Sequence, residues 1–397
     1  VNVMHNFEFY SPTKIVFGKD SEKRAGEMAA ALNAKKVLVV YGSNRVEKSG
    51  LLKTVTDSLE SEGIEVRTAH GIKANPTYAK AVEIIEQNRE FQPDLLLAIG
   101  GGSVIDTAKA AAIALANPDH ELWEIWMGKT KVSRSIPVGS VLTIPAAGSE
   151  TSDSAVLTRE DLELKKGLST DLNRPVFALM NPALALSLPK YQRACGITDI
   201  MMHTLERYVT PLQGNEMTDS IAEGLLRTVI SNGPKIMTDD PDLDAMSEIM
   251  WAGSLSHNNL TGLGGVKDFS VHQMGHELSA KTDIAHGASL SCVWDSYARY
   301  VYSANPARFA RYARNVWGIR EEDDEKAALQ GIEKTRDFFA SLGMPVCFSQ
   351  APEIGVQTSE GLEAFAFGCT YGNTRTIGQF KKLNAEDVKN IYTMANH

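Results

Sequence analysis

No apolar run in this chain of 397 residues approaches the roughly 20 residues of a membrane-spanning helix. The stretch 110–116 is broken at once by Asn117-Pro118-Asp119, so a membrane partner is not expected. Positive charge is also in deficit. Forty Lys and Arg face 49 Asp and Glu, a formal net charge of −9, whereas nucleic acid and anionic lipid both call for a basic face. Small-molecule chemistry is the class left standing. Cysteine is scarce: Cys195, Cys292, Cys347 and Cys369 are scattered with no CxxC pair. That pattern suits reduced thiols in a cytoplasm rather than a disulfide framework, and no motif flanks any of the four to mark a nucleophile. The first residue is Val rather than Met, and nothing is read from that start.

Hydrophobic residues make up 43% of the chain. That is enough for a sizeable core, and the length exceeds what one core usually organises, so two domains are expected. From Lys36 to Leu179 short β-rich apolar runs alternate with helical patterns, the signature of an α/β domain with a Rossmann-like parallel sheet. Strands are expected at 37–41, 64–66, 94–99, 140–144 and 176–179. Helices are expected with Leu51, Leu52, Val55 and Leu59 on one stripe, with Tyr78, Val82 and Ile85 on another, and over the Ala-rich run 104–116. After Pro189 the β-branched alternation stops, and amphipathic patterns broken by turns such as 238–241 read as all-helical. The expected boundary lies at Asn181-Pro182, giving a dinucleotide-binding domain over 1–182 and a metal-binding catalytic domain over 183–397. A cleft between the two is the expected ligand site.

The third strand ends in Gly100-Gly101-Gly102-Ser103 and runs into a helix. Glycines let a backbone approach phosphates, and a helix N-terminus behind them offers free N–H groups and partial positive charge, so a diphosphate fits there. A tight turn alone is the competing reading, since the motif is neither GxGxxG nor a Walker loop. Asp106, in the first turn of that helix, is either a ligand contact or a complement to the helix dipole. At the end of the first strand an acidic residue ordinarily holds the ribose 2′-hydroxyl. Here Gly42-Ser43-Asn44-Arg45 stands instead, a set that welcomes a 2′-phosphate and favours NADP(H) over NAD(H), unless Ser43 and Asn44 are only turn formers. Gly42, Ser43, Asn44, Asn75, Gly101, Gly102, Ser103 and Asp106 are the candidate cofactor contacts.

Five of the nine histidines (His203, His257, His272, His276 and His286) fall within residues 203–286. Asp199 and His203 are four apart and share one helical face, as do His272 and His276, while His286 precedes Gly287 where a helix could end or kink. One Asp with His203, His272 and His286 suits a single divalent ion, Fe2+ or Zn2+, because imidazole is of borderline softness and the carboxylate lowers the net charge. His276-Glu277-Leu278-Ser279-Ala280 begins like a zinc-protease HExxH but carries Ala280 where the second histidine belongs. His5, His70, His120 and His397 read as structural.

Taken in order, Gly100-Gly101-Gly102-Ser103 with Asp106, Thr143-Ile144-Pro145-Ala146-Ala147-Gly148-Ser149-Glu150, Asp199-x3-His203, His272-x3-His276-Glu277-Leu278 and His286-Gly287 resemble the iron-containing (group III) alcohol dehydrogenases. The likeness is nearest to their NADPH-dependent butanol dehydrogenase and aldehyde reductase branch, and it runs over nearly the whole chain. The resemblance implies a dehydroquinate synthase-like architecture with Asp199, His203, His272 and His286 as metal ligands. It places His276 beside metal and nicotinamide as the candidate catalytic residue, and Thr143 and Lys165 at the cofactor, with Lys166 as the competitor for the last role. It implies hydride transfer between NAD(P)H and a small aldehyde or primary alcohol, with the metal polarising the substrate oxygen. It also implies a homodimer formed through the opening Phe7-Glu8-Phe9-Tyr10-Ser11-Pro12. Trp294 departs from the family, which often carries proline a few residues past the last histidine, and leaves the local helix geometry open. The competing functions are a dehydroquinate synthase- or glycerol-1-phosphate dehydrogenase-like enzyme, which needs a basic cluster for a phosphorylated substrate, and a non-catalytic NADPH-binding protein.

Overall fold

The computed structural model describes residues 4–397. These divide into two compact units, Tyr10–Leu188 and Pro189–His397, the latter joined by the segment that runs up to Phe9. Eight strands lie in the first unit: β1 (Lys14–Phe17), β2 (Lys36–Tyr41), β3 (Glu65–Ala69), β4 (Leu95–Gly100), β5 (Val138–Leu142), β6 (Ser154–Arg159), β7 (Leu164–Ser169) and β8 (Phe177–Met180). Six form one parallel sheet in the order β1-β8-β5-β4-β2-β3, while β6 and β7 pair antiparallel as a separate hairpin. Helices alternate with the strands, so this is an α/β unit of Rossmann-like type.

The central strands are apolar on both faces because both faces are covered. Val37 and Val39 pack with Val55 and Leu59 of the helix Leu51–Ser61 and with Met28 and Ala29 of the helix Ala25–Ala31. Leu38 and Val40 point to the opposite face and are equally buried. The edge strands β1 and β3 expose several residues, as edges that pair on one side only can. From β2 the chain steps outward to β3, then crosses back to place β4 on the other side of β2. The order reverses between β2 and β4, and ligands in such sheets bind beyond the carboxyl ends of the strands at that point. The turns after β2 and β4 hold Gly42 and Gly100-Gly101-Gly102.

Why glycine is required after β4 follows from what packs on the turn. A Cβ on Gly101 would sit 2.9 Å from the Ile144 side chain, and one on Gly102 would sit 2.8 Å from the Ala147 Cβ. The segment that leaves β5 therefore lies directly on the turn, and the helix Gly102–Ala116 begins at once behind it.

The second unit is helical; among its described residues the only β pairing is an isolated bridge between Ile377 and Leu383. Its helix Lys190–Tyr208 is buried along nearly its whole length, as a central helix must be. The helices Ser270–Thr282 and His286–Val301 pack against it and each other. A three-residue turn through Asp283, at φ 57°, joins these two. Residues 7–12 have no regular structure and leave Phe7, Phe9 and Tyr10 exposed. Among the described residues no helix is long and apolar enough to cross a membrane.

Candidate metal centre and cofactor turns

Asp199 and His203 lie one turn apart on Lys190–Tyr208, His272 lies in the first turn of Ser270–Thr282, and His286 opens His286–Val301. The last helix starts at His286 rather than ending or kinking there. Gly287 explains how it comes so close. A Cβ at that position would be 2.5 Å from the Cys195 carbonyl oxygen, so only glycine lets this helix N-terminus rest on the turn before Asp199. Trp294 sits in the same unbroken helix, wholly buried, its ring stacked on Phe309 at 6.5 Å.

From three helices the side chains converge on one carboxylate oxygen. Asp199 Oδ1 is 3.2 Å from His203 Nδ1, 3.5 Å from His272 Nε2 and 3.4 Å from His286 Nε2. Ligands about 2.0–2.2 Å from a tetrahedral ion stand about 3.3–3.6 Å from one another, so these separations fit a shared cation. Asp199, His272 and His286 place one donor atom each within 4.8 Å of the others. His203 joins them through Asp199, with its ring 4.4 Å from that of His272. Asp199 Oδ1, His203 Nδ1 and His272 Nε2 are buried and make no hydrogen bond. An unsatisfied buried polar atom costs about 1–3 kcal/mol, and three together in a cluster of metal-ligating type are what a bound cation would satisfy. The residues present therefore fit a divalent ion.

Burial and charge act together here. Burial pushes the Asp199 carboxyl up, but the imidazoles of His203 and His286 outweigh it and hold it well below the usual range. Burial holds His203 well below its ordinary value, which keeps it neutral and able to ligate. Burial also lowers His272, but the Glu206 carboxylate more than reverses it and brings the group to about 9. Side-chain exposure is 26% for His286 against 5% for His203 and His272 and 4% for Asp199, so the cluster is open on the His286 side. The half-buried His276 has its ring 5.7 Å from that of His286 and 6.3 Å from that of His272.

Glu206 was not anticipated, and His257 was counted in the histidine cluster without a contact assigned to it. Glu206 hydrogen-bonds His272 Nδ1 and accepts from backbone amides of the helix Ser270–Thr282. His257 lies against His203 with the rings tilted by 31° and centroids 3.9 Å apart, and Arg207 Nη2 is 2.9 Å from its Nδ1. A sequence signal for Glu206 existed, since Asp199, His203 and Glu206 fall at i, i+4 and i+7 on one helical face. His257 has no such spacing to any of the four clustered residues. The four cysteines are free. Burial pushes the Cys195 and Cys369 thiols up to about 12, which leaves neither available as a nucleophile at neutral pH.

In the other unit, the residues read as cofactor contacts fall into two groups. Around the glycine turn, Thr143 N donates to the Gly100 carbonyl at 3.0 Å. The Asp106 carboxylate accepts from Ser149 Oγ at 2.6 Å and Val156 N at 2.9 Å, so both its oxygens tie the helix to neighbouring segments. Ser103 stands half-buried in the first turn of that helix. Lys165 Nζ donates to Asn75 Oδ1 at 2.9 Å, which brings two of the expected contacts together. The Lys166 side chain alternates to the opposite face of β7, and its backbone carbonyl accepts from Trp126 Nε1 at 2.9 Å. Beyond β2, Ser43, Asn44, Arg45, Lys48 and Ser49 line an open depression of about 680 Å³. Gly42 lies at the strand end beside it, with the Ile72 carbonyl 2.8 Å from where a Cβ would be.

The chain matches the family model described as iron-containing alcohol dehydrogenase over residues 12–182, and that of the C-terminal part of the same family over 193–396. It is 36% identical over 391 residues to NADH-dependent butanol dehydrogenase A of Clostridium acetobutylicum, covering 98% of this chain and 99% of that one. It is 36% identical over 348 residues to the NADPH-dependent aldehyde reductase YqhD of Escherichia coli, covering 87% and 89%. Among solved structures, a butanol dehydrogenase A described as NADH-dependent, from Thermotoga maritima, superposes with a TM-score of 0.94 at 32% identity, covering 99% of each chain.

Proposed function

The chain belongs to the iron-containing alcohol dehydrogenases, NAD(P)H-dependent alcohol dehydrogenases and aldehyde reductases, and on that basis we propose that it interconverts a small aldehyde and a primary alcohol with NADP(H) as its preferred cofactor. Asp199, His203, His272 and His286 would hold one divalent ion, Fe2+ or Zn2+. The observation that carries the assignment is the convergence of three imidazole nitrogens within 3.2–3.5 Å of Asp199 Oδ1.

When bound, the ion supplies Lewis acidity at the substrate oxygen and the nicotinamide supplies or accepts the hydride. The chain's own side chains do the rest. Asp199 offsets the cation's charge, and the burial that keeps His203 neutral keeps its ring a ligand. His276 is the side chain in reach to return a proton to the alcohol oxygen or to take one from it. At the turns, Gly101 and Gly102 admit a diphosphate to the N-terminus of Gly102–Ala116, with Ser103, Asp106 and Thr143 around it, while Asn75 and Lys165 meet the cofactor as a pair.

For the cofactor choice, the depression after β2 is lined by two cationic and three hydrogen-bonding side chains and by no carboxylate. The one acid of that loop, Glu47, accepts a hydrogen bond from the Tyr41 hydroxyl. That chemistry suits a 2′-phosphate. Relatives of similar identity are described as using NADH in one case and NADPH in another. Metal-stripped protein re-supplied with Fe2+ or Zn2+ and given butanal decides the matter through the near-ultraviolet absorbance of each cofactor. Metal-dependent oxidation of NADPH faster than of NADH is expected, and the reverse order overturns the preference. A homodimer formed through the exposed residues 7–12 and a reducing cytoplasm, which the four free cysteines suit, complete the reading. Light scattering on eluted protein tests the former.

A further inference from the structure

The helix Ser270–Thr282 carries His272 and His276, yet it begins at Phe269 in the left-handed region, whose side chain caps nothing, and the neighbouring Asp268 carboxylate takes only the first amide, Ser270 N, at 3.0 Å. A helix N-terminus leaves amides that need partners. Here they find one from another helix. Glu206, on Lys190–Tyr208, is fully buried, and its Oε1 accepts from Val271 N at 2.6 Å and His272 N at 3.3 Å. The Glu206 carbonyl also accepts from Asp268 N at 2.8 Å. A carboxylate at this end of a helix is favourable for the dipole as well as for the amides.

A cap alone would use one oxygen. The second, Oε2, is spent on His272 Nδ1. We propose that Glu206 is a positioning residue for the metal centre: it fixes the start of the second ligand helix to the first and holds a proton on His272 Nδ1, so that Nε2 is the nitrogen that gives way to the ion. His272 Nε2 is the atom 3.5 Å from Asp199 Oδ1. A ligating imidazole must offer an unprotonated nitrogen, and a carboxylate on its other N–H both sets the tautomer and raises ligand basicity. The inference rests on the ligand assignment made above.

Glu206→Gln separates the two roles. Its amide oxygen can still cap Val271 and His272, but its NH2 group, set against Nδ1, calls for a lone pair there and moves the proton to Nε2. Metal-stripped wild type, Glu206→Gln, Glu206→Asp and His272→Ala are titrated with Zn2+ and with Co2+, following affinity and the visible absorption of the Co2+ adduct. Thermal midpoints of the metal-free proteins and NADPH affinity are measured alongside. The Gln variant is expected to keep its metal-free midpoint and NADPH affinity while its metal affinity falls about 10–100-fold. The Asp variant, which keeps the charge but withdraws it by one methylene, should fall between Gln and wild type and covers the case of a Gln variant that does not fold. His272→Ala with unchanged metal affinity would overturn the ligand assignment itself. His272→Ala that loses the metal while Glu206→Gln and Glu206→Asp bind as wild type would leave the assignment standing and overturn the role of Glu206. A Gln variant whose metal affinity falls only in step with its metal-free midpoint would also overturn it.

Discussion

Tyr41 closes β2 with its ring buried and stacked on His70 at 5.5 Å, and its hydroxyl is what engages Glu47. Removing that hydroxyl frees an acid beside a depression whose other polar side chains suit an anion. Tyr41→Phe should therefore weaken NADPH binding by about 10-fold, the order expected from one charge-assisted hydrogen bond exchanged for a nearby like charge, and leave NADH binding almost unchanged. Tyr41→Phe combined with Glu47→Gln should restore NADPH affinity. Calorimetry on the two cofactors checks both, and equal loss for NADPH and NADH would point to simple damage to the strand end. Lys109 is a second residue whose surroundings have a measurable consequence. It is buried, and Nζ donates to Ser149 Oγ at 2.9 Å and the Ser154 carbonyl at 2.8 Å. Burial, opposed by Asp106 and Glu150, lowers its pKa to about 8 from 10.5. Between about pH 8 and 10.5 the unfolded chain holds a proton that the folded chain has lost, so stability rises with pH across that window. Below pH 8 both states are protonated and the dependence vanishes. The denaturation free energy of wild type relative to Lys109→Met should climb across the window by up to about 3 kcal/mol, and a flat difference would show that the amine stays charged in the fold.

Elements bring to one point what the sequence spreads over three helices, and this is where reading from sequence succeeded and stopped. The α/β half was legible because the strands β2 and β4 are buried on both faces and so appear as continuous apolar runs. The edge strand β1, four residues with exposed ends, and the hairpin of β6 and β7 carry no such run and were not foreseen. That Asp199, His203, His272 and His286 meet was legible because a metal site, if present, restricts the residue types and a helical face restricts the spacing. Glu206 and His257 touch the cluster only through His272 and His203, and those contacts are set by how helices pack rather than by distance along the chain. Gly287 belongs to the same class of information. A methyl group there meets Cys195 backbone, with the nearest atoms at 2.5 and 2.7 Å, and backbone cannot turn aside as a side chain can. Gly287→Ala should push the start of His286–Val301 away from Lys190–Tyr208, cost about 1–3 kcal/mol as overpacking does, and carry His286 out of the cluster. Chemical denaturation with parallel metal analysis checks it, and a variant destabilised by that amount yet fully loaded with metal would show that the helix relaxes elsewhere.

At the scale of the whole molecule, metal and cofactor are assigned to different compact units, the ion to Pro189–His397 and the dinucleotide to Tyr10–Leu188. A ligand that binds only the folded form stabilises it by RT ln(1 + [L]/Kd), about 4 kcal/mol at a thousand times Kd, and slows exchange of amides that open with its site by the same factor. An ion held as proposed would draw on three helices at once, so Zn2+ added to stripped protein should slow exchange in peptides over 190–208, 270–282 and 286–301 by up to about a thousandfold at that excess. NADPH should act instead on peptides over 37–49, 95–109 and 143–156, the strand ends and the segment that packs on the glycine turn. Hydrogen exchange read by mass spectrometry on the same sample, with each ligand alone and then both, separates these effects. If Zn2+ protected the glycine turn and left 270–282 unchanged, the assignment of the four ligands would fail however the enzyme behaved in an activity assay. Protection by both ligands together that exceeds the product of each alone would instead measure a coupling free energy between ion and dinucleotide, and the same factor must appear in the Kd of either one measured with the other present.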